Sequence, residues 1–188
     1  MVSVALFLLT AQFGFSPTLM MSAPSMAVQR PEVRKELKPT KDQNRKLDEI
    51  VKSVNQAMKD SQKTLDMGAI SQTMKDGDAK VWELLDDKQD ERLRGLVLQI
   101  KGPAAFFEED FIKEFALTSD QIAKLEELKA SCGSLYMEAA RGNPRKLKGL
   151  LEKYEKDTLA VLTADQKLKY DKAVGAKVKN LNLGLPPF

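Results

Sequence analysis

The chain has 188 residues, 43% of them apolar but only 6% aromatic, and 30 basic against 27 acidic side chains leave a net charge of +3. That length allows one compact domain or two small ones, and the composition favours helices over sheets. The two signs of charge are interleaved, so no basic face asks for nucleic acid. With no histidine and one cysteine, Cys132, the chain excludes thiolate–imidazole metal sites, Ser-His-Asp and Cys-His catalysis and an internal disulfide.

Residues 1–27 differ from the rest. No charge occurs before Arg30, and Val2 to Phe15 is mostly apolar around Val4-Ala5-Leu6-Phe7-Leu8-Leu9. Ser25-Met26-Ala27 has the small–x–small form of a signal-peptidase site. We read 1–27 as a secretory signal peptide cut after Ala27, although the usual basic residue before the apolar run is absent. The run is short for a membrane span, which takes ~20 apolar residues.

From residue 28 to 60 the pattern predicts helix. A short amphipathic piece with Val33 and Leu37 ends at Pro39. A capped helix then starts at Thr40 and carries Leu47, Ile50, Val51, Val54 and Met58 at helical spacing. Residues 61–78 are the most polar stretch, and the pattern leaves open whether the helix runs through Leu65. Asp76-Gly77-Asp78 reads as a turn. It is no calcium loop, because Gln72 and Met74 stand where ligands belong.

Val81, Trp82, Leu84 and Leu85 lead to a second cap at Asp86, followed by Leu93, Leu96, Val97 and Ile100. Gly102-Pro103 stops that helix. Ala104-Ala105-Phe106-Phe107 is a small apolar knot. Glu108-Glu109-Asp110 suits the start of the next helix, where acidic groups complement the dipole. A third capped helix begins at Thr118, with Ile122, Leu125, Leu128, Cys132, Leu135 and Ala139 as its stripe. Cys132 is expected as a small buried hydrophobe. Gly142-Asn143-Pro144 breaks the helix, Leu147, Leu150, Leu151 and Tyr154 return, and a last helix from Thr163 carries Leu168, Tyr170 and Val174. The tail from Leu181 to Phe188 is apolar but broken, and either docks or stays free.

One short pattern organises these elements. Thr40-Lys41-Asp42-Gln43, Asp86-Asp87-Lys88-Gln89, Thr118-Ser119-Asp120-Gln121 and Thr163-Ala164-Asp165-Gln166 each place Gln three residues after a cap residue. This is a capping box: the Thr or Asp side chain accepts from an N–H of the first turn, and the Gln reaches back to the cap's own N–H. Each copy has a large apolar or aromatic residue four positions after its Gln, namely Leu47, Leu93, Leu125 and Tyr170. Copy one aligns with copy three and copy two with copy four, and the flanks Val33–Leu37 and Phe111–Phe115 align as well. The chain thus reads as a duplication, with units at 28–105 and 106–188.

At Leu117-Thr118-x-x-Gln121 and Leu162-Thr163-x-x-Gln166 the chain resembles the LTXXQ family of Spy/CpxP-like bacterial periplasmic proteins. The resemblance implies an all-α fold of antiparallel helical hairpins, here as two tandem units with four capped helices. Pro39 and Asp86 depart from the motif's Leu and Thr, and no histidines are present for the metal sensing of some relatives. It also implies a periplasmic or secreted, ATP-independent chaperone that binds unfolded envelope proteins in envelope stress. The alternative is a regulatory protein docked on one envelope partner. An enzyme is not expected, and neither is a cofactor, metal or small-molecule substrate. The chain would be a monomer with pseudo-dimeric halves or a homodimer.

Overall fold

A computed structural model describes residues 22–64, 66–142, 146–179 and 181. Among the described residues the fold is all-α, with no strand. In order the helices are α1 (Pro24–Ala27), α2 (Pro31–Leu37), α3 (Lys41–Thr64), α4 (Met67–Leu84) and α5 (Asp87–Lys101). A 3-10 helix (Gly102–Phe107) follows, then α6 (Glu109–Glu114), α7 (Ser119–Gly142), α8 (Lys146–Leu159) and α9 (Ala164–Val174). The chain divides into two compact units, a first of Met21–Val97 and a second that contains Leu98–Phe188. The division falls inside α5, whereas the sequence places it between residues 105 and 106 if the first unit starts at residue 28.

In the first unit α3 packs along α4, and α1 rests on both. The helices approach most closely at Gly77. A Cβ built there would lie 2.5 Å from Val54 Cγ2 and 3.2 Å from Ser25 Cβ. Asp76-Gly77-Asp78, expected as a turn, is therefore corrected to the interior of α4. Glycine inside a helix costs about 1 kcal/mol in propensity, but here its missing side chain lets α1, α3 and α4 meet. The real break comes earlier, at Asp66, whose side chain caps α4 by accepting the Ala69 N–H at 2.9 Å.

The second unit repeats the local plan. Lys38 (φ 48°) after α2 and Ala116 (φ 49°) after α6 are the two non-glycine residues with positive φ among those described. They occupy the same place in the two copies, just before the motif, where a left-handed residue ends a short helix. Phe106, Phe111, Phe115 and Tyr170 form an aromatic cluster. The Phe111 and Phe115 rings stack at 4.0 Å, and Tyr170 meets Phe106 edge-on at 5.3 Å. Leu47, Leu93, Leu125 and Tyr170, the residues four places after each motif Gln, are all buried.

α7 packs against α8, where Cys132 and Tyr154 are buried. Leu135 and Leu168, expected on buried stripes, are instead 48% and 71% exposed. Leu168 lies two residues before Tyr170, more than half a turn away from the buried Tyr170–Val174 face. Leu135 lies one short turn beyond Cys132, at the edge of the stripe. After α9 the chain turns at Gly175 (φ 64°), where Gln99 holds it by donating to the carbonyls of Val174 and Ala176 and accepting the Val178 N–H. Leu181 is fully buried. The apolar run Val4–Leu9, the loop at Asn143-Pro144 and the tail after Leu181 lie outside the described residues.

Candidate functional site

All four motif helices start with the same hydrogen bonds. The Gln43 and Gln121 N–H groups donate to Thr40 and Thr118 Oγ1, each at 3.2 Å, and the Gln166 N–H donates to Thr163 Oγ1 at 3.2 Å. Asp86 Oδ1 accepts the N–H groups of Lys88 at 3.0 Å and Gln89 at 2.9 Å. Each Gln Oε1 in turn accepts the cap residue's N–H, at 2.9 to 3.1 Å. Thr40, Asp86, Thr118 and Thr163 thereby satisfy donors that a helix start leaves unpaired.

The glutamines also do something that sequence reasoning missed. In the first unit the Gln43 and Gln89 amides face each other. Gln43 Nε2 donates to Gln89 Oε1 at 2.8 Å, and Gln89 Nε2 returns a bond to Gln43 Oε1 at 3.2 Å. The second hydrogen of each amide reaches the end of a neighbouring helix: Gln43 donates to the Leu84 carbonyl at 3.0 Å and Gln89 to the Leu37 carbonyl at 3.1 Å. In the second unit Gln121 and Gln166 do the same at 2.7 and 3.2 Å. Their remaining donors go to the Val161 carbonyl at 2.9 Å and the Phe115 carbonyl at 3.1 Å.

A carboxamide offers two donors and an oxygen with two lone pairs, and each pair uses all of them. The result is a clamp that joins two helix starts and two helix ends through two side chains. A carboxylate or amine at any of the four positions lacks half of that capacity, which is why the residue is Gln. The one signal available in the sequence was the spacing within each unit, 46 residues between Gln43 and Gln89 and 45 between Gln121 and Gln166.

The first clamp lies next to a groove between α3 and α4, since Leu84 both accepts from Gln43 and lines the groove. The groove has a volume of about 590 Å³. Ile50, Val54, Ala57, Gly77 and Leu84 give it an apolar floor. Lys46, Glu49, Asp76, Lys80 and Glu83 set both signs of charge around it.

Elsewhere, burial pushes the Cys132 thiol above its ordinary range and does the same more strongly to the Tyr154 hydroxyl. Among the described residues no three His, Cys, Asp or Glu side chains are grouped to hold a metal ion, and no helix is long and apolar enough to cross a membrane. No protein-family model matches the chain, and no curated protein or solved structure is found to be similar to it.

Proposed function

We propose that this chain is a non-enzymatic, ATP-independent binder of unfolded polypeptide in the bacterial envelope, built as two tandem LTXXQ-like units. The observation that carries this reading is the α3–α4 groove. An apolar floor takes side chains that an unfolded client exposes, and a rim of mixed charge favours early encounter without selecting one sequence. The glutamine clamp holds the helices that frame that groove, and a carboxamide, which does not ionise near neutral pH, is there as a hydrogen-bonding group.

The test is suppression of aggregation of several unrelated denatured proteins by the full chain, without nucleotide. All of them should be suppressed near stoichiometric chain. The exposed groove residue Ser53 gives the control: Ser53→Arg fills the groove, and a surface change of this kind costs within about 0.5 kcal/mol of stability. Suppression should fall with the melting temperature unchanged. Suppression of none of the clients by a folded, helical sample would move the reading to a dedicated partner protein.

A further inference from the structure

We infer that Ser22–Arg30 is a structural part of the first unit, retained in the folded protein, so that any cut releasing a leader falls before Ser22 and not after Ala27. The small residues of this stretch satisfy a peptidase pattern, but they also satisfy a packing requirement. Ser22, Ser25, Ala27 and Val28 are completely buried. Ser25 sits over Gly77 at the closest approach of α3 and α4, and its N–H donates to Asp78 Oδ1 at 2.8 Å. Asn55 Nδ2 donates to Gln29 Oε1 at 3.2 Å, and Arg34 Nε donates to the Val28 carbonyl at 2.7 Å. A chain starting at Val28 loses the Ser25 side chain beside Gly77, and Asp78 loses the Ser25 N–H.

The repeat gives an independent reason. The register that lays Thr40 on Thr118 lays Ala27 on Ala105 and Val28 on Phe106. All four are buried, Ala27, Val28 and Ala105 completely. In the second unit that stretch is the 3-10 helix Gly102–Phe107, which packs against α6 and α8 from within the chain, where no peptidase releases it. Residues 22–30 take the corresponding place in the first unit, where α1 packs on α4, the copy of α8. A unit cut after Ala27 is a repeat without its lid.

Two measurements decide the matter, and neither depends on client binding. The first is the intact mass of the folded protein after expression of residues 1–188 in a Gram-negative host. Every folded species should include Ser22–Ala27, and a folded product beginning at Val28, or anywhere from Ala23 to Val28, overturns the inference. The second is Ala27→Glu in the full chain, followed by Trp82 fluorescence, since Trp82 is the chain's one tryptophan and lies in the first unit. The urea midpoint should fall relative to the wild-type chain. An unchanged midpoint overturns the inference, and if the variant does not fold, the mass measurement still decides.

Discussion

If the motif glutamines act as clamps and not only as caps, removing both members of a pair must cost less than the sum of the single removals. Gln89→Ala deletes four hydrogen bonds: from the Asp86 N–H, to the Leu37 carbonyl, and the two exchanged with Gln43. Gln43→Ala deletes the same two exchanged bonds plus those with the Thr40 N–H and the Leu84 carbonyl. At about 1 kcal/mol net per bond, each single change costs about 4 kcal/mol. The double variant deletes six distinct bonds, so it costs about 6 kcal/mol and falls short of additivity by about 2 kcal/mol. The assay is urea unfolding followed by Trp82 fluorescence, which reads the first unit. Additivity to within about 0.5 kcal/mol would refute the clamp. So would single losses of only about 1 kcal/mol, the worth of one cap.

Further predictions follow from the same contacts. Gly77→Ala should destabilise the first unit by about 1–3 kcal/mol, because the new methyl meets the stiff, buried Val54; a rise in the urea midpoint, the usual result of Gly→Ala in a helix, would contradict this close approach. Thr118→Ala should cost about 1 kcal/mol through loss of the Gln121 N–H bond and leave client binding unchanged; loss of binding at constant melting temperature would show that the motif itself is a binding element. Cys132, buried with its thiol held above the ordinary range, should react with iodoacetamide at least about tenfold more slowly in the native protein than in urea at pH 8. Equal rates would place it at the surface.

The helix starts were legible because a cap is a local device: Thr40, Asp86, Thr118 and Thr163 each meet a Gln three residues on, and the hydrogen bonds span that distance. Cys132 was legible as a core residue from its spacing to Leu125. The pairing of glutamines was not, because each Gln finds its partner 45 or 46 residues away and nothing local marks which copy that is. Asp76-Gly77-Asp78 was misread for a related reason. Glycine between two aspartates signals a turn when only neighbours count, but at Gly77 the deciding neighbours are Val54 and Ser25 on other helices. Ser25-Met26-Ala27 carries the same ambiguity, since small residues suit both a peptidase site and a tight helix contact. The groove required α3 and α4 to be placed side by side, and neither helix announces that pairing.

Whether the α3–α4 groove receives unfolded polypeptide is read out by amide hydrogen exchange of the full chain, with and without a saturating, permanently unfolded client. Added protection is expected along α3 near Ser53–Ala57 and along α4 near Thr73–Leu84, and Ser53→Arg should abolish it. Protection that leaves these segments unchanged while other helices slow, or protection that survives Ser53→Arg, would contradict binding in the groove.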